Sequence, residues 1–146
     1  MAKRHAVVIA LFVSALGVAG ARATACPSDS QAAQPQVKEV TLSQLDGLIK
    51  AEKVSIFDAN GDKTRAKFGI IPGAVLLSDI ANYPLDVLPA AKDRKLVFYC
   101  ANTRCTASHI AAQRALDAGY ADVSVLPEGI MGWKQAGKAT QALPRS

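Results

Sequence analysis

KLVFYCANTRCTAS, from Lys95 to Ser108, decides how the rest of the chain is read. Its first half is a continuous apolar run ending on Cys100, the pattern of a strand buried on both faces of a parallel sheet. Its second half leads through a short loop to a second cysteine, Cys105, at the start of a helix. That helix is predicted over 104–118, with Ala107, Ile110, Ala111 and Ala115 on one stripe and Gly119 as its stop. Two thiols this close at a strand's exit admit four uses: a nucleophile, a disulfide, half a metal site, or plain packing.

Working outward, the same alternation repeats. TLSQLDGLIKAE (41–52) has Leu42, Leu45, Leu48 and Ile49 at helical spacing, with Ser43 as the expected N-cap. KVSIFDAN (53–60) is a short strand running into turn residues, and DKTRAKFG (62–69) gives one or two helical turns closed by Gly69. IPGAVLLS (71–78) is a turn and a brief strand, and Pro84 breaks the connection that follows it. ADVSVLP (121–127) is the next strand, and GIMGWKQAG (129–137) a closing helix. Strands alternating with helices specify an α/β fold, a central parallel sheet with helices on both faces. In such sheets chemistry gathers beyond the carboxyl ends of the strands, where Cys100 stands.

The N-terminus has the layout of a secretory signal: Lys3 and Arg4, an apolar run from Ala6 to Ala21, then small residues at Ala23 and Ala25. The run is about 15 residues, short of the roughly 20 a membrane span needs. Cleavage is expected after Ala23 or Ala25. The later cut would leave Cys26 first and open a lipid-anchored alternative, although Ala23 stands where a lipobox usually has leucine. The expected division is a signal at 1–25, a polar leader at 26–37 and one domain at 38–142, with a periplasmic or secreted location and no stable membrane span in the mature chain. Removing Lys3, Arg4 and Arg22 takes three charges from the formal +5, and no Lys/Arg block remains, so nucleic acid is excluded as a partner. Export places three cysteines, an odd number, where thiols oxidise.

A thiol at the end of a strand that feeds a helix faces that helix's free N–H groups and the positive end of its dipole. The expectation is a Cys100 thiolate of depressed pKa, cradled by amides of the Ala101–Arg104 loop and by the Arg104 charge.

SIFDA (55–59), GIIPGAVLL (69–77), KLVFYCANTRCTAS and AGYADVSVLPEGIMGW (118–133) together resemble a rhodanese-like sulfurtransferase domain, over about Val40 to Lys138. The resemblance implies a three-layer α/β fold around a mainly parallel sheet. It implies Cys100 as the nucleophile, with Ala101, Asn102, Thr103, Arg104 and Cys105 as the active-site loop. Asp58 matches the family's strand-end aspartate, and Trp133 with Gly129 and Gly137 the structural closure. The chain departs from the pattern at Thr103, usually glycine, at Cys105, often arginine or threonine, at Asn60, often arginine, and at Ile70, usually histidine. The implied chemistry is ping-pong transfer of sulfane sulfur from a small donor such as thiosulfate, through a Cys100 persulfide, to a thiol or cyanide acceptor.

Other readings of the same residues are narrower. Cysteine-loop phosphatases need arginine six residues after the nucleophile, and Thr106 stands there, which excludes phosphoryl transfer. Cys100, Cys105 and His109 match no common zinc spacing, and neither metal nor cofactor is expected. His109, Gln113 and Asp117 recur at helical spacing on a solvent face. Trp133 reads as core. Asp58 serves either as a turn former or, with Thr106, as support for the site. The alternative to an enzyme is a redox-responsive binding module, in which Cys100 and Cys105 close a reversible disulfide and the domain docks a periplasmic protein.

Overall fold

The computed structural model describes residues 36–143. The predicted signal and nearly all of the leader lie outside the described residues. Five parallel strands, β1 (Lys38–Glu39), β2 (Val54–Asp58), β3 (Val75–Leu76), β4 (Lys95–Tyr99) and β5 (Val123–Leu126), form one sheet in the order β1-β5-β4-β2-β3. Between them run α1 (Leu42–Lys50), α2 (Asp62–Phe68) and α3 (Ala107–Asp117), and α4 (Gly129–Gln135) follows β5. The strand that carries Cys100 at its exit is the central one, as its unbroken apolar run requires.

Strand parity divides the core in two. Phe57, Leu96, Phe98, Val123 and Val125 face α3 and the 79–91 connection, together with Tyr83 and Leu88. Ile56, Val97, Tyr99 and Leu126 face α1, α2 and α4, together with Leu45, Phe68, Ile130 and Trp133. Each large side chain fully buried this way contributes about 1.5–3 kcal/mol. Phe57 and Phe98 stack across neighbouring strands at 4.9 Å between centroids, and the Tyr83 hydroxyl donates to the Ala111 carbonyl at 2.8 Å, fixing the connection to α3. Trp133 is core, with its indole N–H donating to Ala139 at 2.8 Å. The chain beyond α4 returns to pair Gln141 with Ile70 in a single antiparallel bridge.

Four local expectations are corrected. The N-cap of α1 is Thr41, not Ser43: the Thr41 hydroxyl accepts from Gln44 N at 3.2 Å and the Gln44 side chain accepts from Thr41 N at 2.9 Å, a reciprocal capping box. The two-residue β1 was not anticipated, since Lys38–Glu39 is polar and too short for any periodicity. α3 begins at Ala107, not at Arg104. On α3 the buried face is Ser108, Ala111, Ala112 and Ala115, and Ile110 is 45% exposed.

Candidate active site

Parity explains what surrounds Cys100. Leu96, Phe98 and Cys100 share the face of β4 that packs on α3, so the Cys100 side chain points beneath the start of that helix and is 1% exposed. The loop that follows is anchored by its own backbone. Ile130 N donates to the Cys100 carbonyl at 2.9 Å and Met131 N to the Ala101 carbonyl at 3.0 Å, so free amides at the start of α4 are satisfied by the start of the loop. Gly129 makes this approach possible: its φ is +59°, and a β-carbon there would lie 2.7 Å from the Ala101 carbonyl. Asn102 then folds the loop, its side-chain oxygen accepting from Arg104 N at 3.0 Å while its backbone carbonyl accepts from Cys105 N at 3.0 Å. Thr103 and Arg104 form an exposed crest, Ala101, Asn102 and Cys105 are half-buried, and Thr106 is exposed as the N-cap of α3 without a side-chain capping bond.

This curl has an electrostatic consequence opposite to the one expected. Two carbonyls face the Cys100 sulfur: its thiol donates to the Cys105 carbonyl at 3.1 Å, with the Asn102 carbonyl at 3.9 Å. The Ser108 hydroxyl donates back to Cys100 Sγ at 3.4 Å. Burial pushes the Cys100 thiol up, and its hydrogen bond with the Cys105 side chain pushes it further. The Ser108 hydroxyl and amide offset only part of this. Burial also acts to raise Cys105, but the hydrogen bond from Cys100 and the amides of Ala101 and Ala107 outweigh it and hold this thiol below its ordinary value. The amides of Ala101 and Ala107 thus favour a charge on Cys105. Both cysteines are free thiols, and of the two Cys105 is the one whose surroundings favour the thiolate.

Asp58 lies on the other face. It pairs with Tyr99 across the β2–β4 register, and its carboxylate takes the Arg65 guanidinium at 3.2 Å and the Asn60 amide at 2.7 Å. Arg65, 6% exposed, also donates to the Asp58 carbonyl at 3.0 Å and to the Leu77 carbonyl at 2.9 Å, tying β2, α2 and the end of β3 together. The Asp58 carboxylate is therefore directed into this knot on the α2 side, away from the Cys100 sulfur. His109, Gln113 and Asp117 line the exposed face of α3, with Gln113 donating to Asp117 at 2.9 Å. Ser108, which does reach Cys100, was not singled out from sequence. Its one available signal was its position one helical turn before Ala111 and Ala112 on the buried face.

The site is thus a loop-wrapped cysteine at the exit of the central strand of a parallel α/β sheet. The rhodanese-like domain family matches residues 41–136, and the chain belongs to that family. A comparison with curated proteins found no match. Among solved structures, a thiosulfate sulfurtransferase from Pseudomonas aeruginosa is 22% identical with a TM-score of 0.59, over 73% of this chain and 20% of that one. A human single-domain sulfurtransferase, TSTD1, is 20% identical with a TM-score of 0.55, over 68% of this chain and 96% of that one. A Rhodopseudomonas palustris protein of unknown function, called a possible tyrosine phosphatase, is 24% identical with a TM-score of 0.59, over 72% and 85%. At these identities the likeness is one of fold. No helix among the described residues is long and apolar enough to cross a membrane.

Proposed function

We propose that the protein is an exported sulfurtransferase that carries sulfane sulfur on Cys100. The observation that carries the reading is the placement of Cys100: a thiol at the exit of the central strand, wrapped by the 101–106 loop and touched by the Ser108 hydroxyl and the Cys105 carbonyl. Family membership and the sulfurtransferases among its structural neighbours support the same class of chemistry. Cys105, the thiol whose surroundings favour the charge, is the neighbouring group to take the Cys100 proton as Cys100 attacks the outer sulfur of a donor such as thiosulfate. Sulfite leaves, and the persulfide passes to a thiol or cyanide. Arg104, on the exposed crest, supplies positive charge for the anionic donor.

Incubating reduced protein with thiosulfate should add one sulfur atom to the peptide that contains Cys100. Cys100→Ser should abolish the adduct and Cys26→Ser should leave it. Persulfide confined to Cys26 or Cys105 would remove the assignment. Intact mass of the periplasmic fraction tests export: the chain should be shorter by about 23 to 25 residues.

A further inference from the structure

We propose that Cys105 is a resolving thiol, which discharges the Cys100 persulfide internally and releases its outer sulfur as hydrosulfide. The inference rests on Cys100 carrying the sulfur, as proposed above, and it adds a second product and a second co-substrate, a dithiol.

The geometry brings together what such a step needs. The attacking atom must come from a residue beside Sγ of Cys100, and the Cys105 carbonyl lies 3.1 Å from that sulfur, in a loop turned back where Cys105 N donates to the Asn102 carbonyl at 3.0 Å. It must be an anion, and the amides of Ala101 and Ala107 favour the charged form of Cys105. The same surroundings hold Cys105 below its ordinary value, which raises its thiolate fraction at any given pH. It must also be free to act, and Cys105 is half-buried at the foot of an exposed crest, whereas Cys100 is sealed. The loop that holds the two thiols is fastened at its start by Ile130 and Met131, which fixes where Cys100 stands relative to the turn that carries Cys105.

The step balances without an outside oxidant. The Cys105 thiolate attacks Sγ of the Cys100 persulfide, Cys100–S–SH, and a Cys100–Cys105 bond forms. The bond from Sγ to the outer sulfur breaks, and its electron pair leaves with that sulfur and its proton as HS⁻. The outer sulfur is thereby reduced and the Cys105 sulfur oxidised. A dithiol then reduces the disulfide, restoring both thiols and becoming a disulfide itself. Two outlets compete for one persulfide: an external acceptor receives sulfane sulfur, and in its absence the protein yields hydrosulfide and waits, oxidised, for a dithiol.

The test uses the full chain with Cys26→Ser, so that only the two loop thiols can react. Reduced protein is loaded with thiosulfate, freed of donor and left without added thiol. One equivalent of hydrosulfide per chain should appear as the persulfide mass is replaced by a Cys100–Cys105 disulfide in the peptide map. With Cys105→Ser the persulfide should persist and hydrosulfide release should fall by at least about tenfold. A second arm runs the step backwards without any sulfane donor. Protein oxidised with diamide and treated with hydrosulfide should open to a Cys100 persulfide and a free Cys105. If thiosulfate fails to load Cys100 but the reverse arm yields this persulfide, the donor reading fails and the resolving role stands. A wild-type persulfide that lasts as long as that of Cys105→Ser, or a diamide product without the Cys100–Cys105 bond, overturns the proposal.

Discussion

Replacing Gly129 by alanine, with Gly119→Ala as its control, measures how far the contact between α4 and the loop holds the two thiols in place. Both glycines have positive φ, +59° and +88°, so each alanine carries a backbone penalty of about 1–2 kcal/mol. Their surroundings differ: a β-carbon at Gly119 meets nothing within 4 Å, and one at Gly129 runs into the carbonyls of Cys100 and Ala101. Relief of that clash moves the loop away and strains the bonds from Ile130 and Met131, each worth about 1 kcal/mol net. Gly129→Ala should therefore cost about 3 kcal/mol and Gly119→Ala about 1. For a domain of this size those values correspond to falls in melting temperature of about 12 °C and about 4 °C. Thermal unfolding by circular dichroism reads the difference, and iodoacetamide trapping under native conditions reads its local part. Cys100 should become more reactive in Gly129→Ala and stay protected in Gly119→Ala. Equal losses of stability with equal Cys100 protection would show that the close approach of Gly129 does not fix the loop.

Arg65→Ala should cost about 3–5 kcal/mol, because it leaves the buried Asp58 carboxylate without its partner; the double change Asp58→Asn with Arg65→Met should be markedly more stable than Arg65→Ala in urea titration. Alkylation followed residue by residue against pH should modify Cys105 first and Cys100 only at higher pH, and the reverse order would contradict the charge placement. Burial pushes the Tyr83 hydroxyl up to about 12 from 10.0, so its contribution to stability is intact below pH 10 and is lost as pH rises toward 12; Tyr83→Phe should flatten the decline in unfolding free energy over that window.

What could be read from the sequence follows from which interactions are local. The apolar run to Tyr99 and the turn residues around it need only near neighbours to declare a buried strand, and they placed Cys100 correctly at its exit. Asp58 also sits at a strand end, but the face it uses depends on its register with Tyr99, a non-local pairing that strand composition does not encode. The position two after Asp58, often arginine in the family, is Asn60 here, and the guanidinium that meets Asp58 comes from Arg65 in α2. The start of α3 was set too early because Arg104 to Thr106 are compatible with a helix. The Asn102 turn and the bond from Cys100 to the Cys105 carbonyl hold them out of it. Ile110 misled for a related reason. Apolarity put it on the core stripe, but on α3 the small residues Ala111, Ala112 and Ala115 fit close against β4 and β5, which leaves the larger side chain outside.

The strand order leaves the sheet with stubs at both margins, β1 at Lys38–Glu39 and β3 at Val75–Leu76. An unpaired margin invites another chain to add a strand, and the invitation grows with the number of rungs on offer. Here a newcomer finds two residues on either side, flanked at β1 by opposite charges. Val75 and Leu76 are each 39% exposed, so the β3 margin is apolar, yet it is too short to template a long ladder. The continuous apolar runs that would propagate one, in β2, β4 and β5, are all interior to the sheet. The sequences most prone to fibril formation are thereby shielded for as long as the domain stays folded, and resistance to aggregation becomes a property of strand order rather than of surface charge.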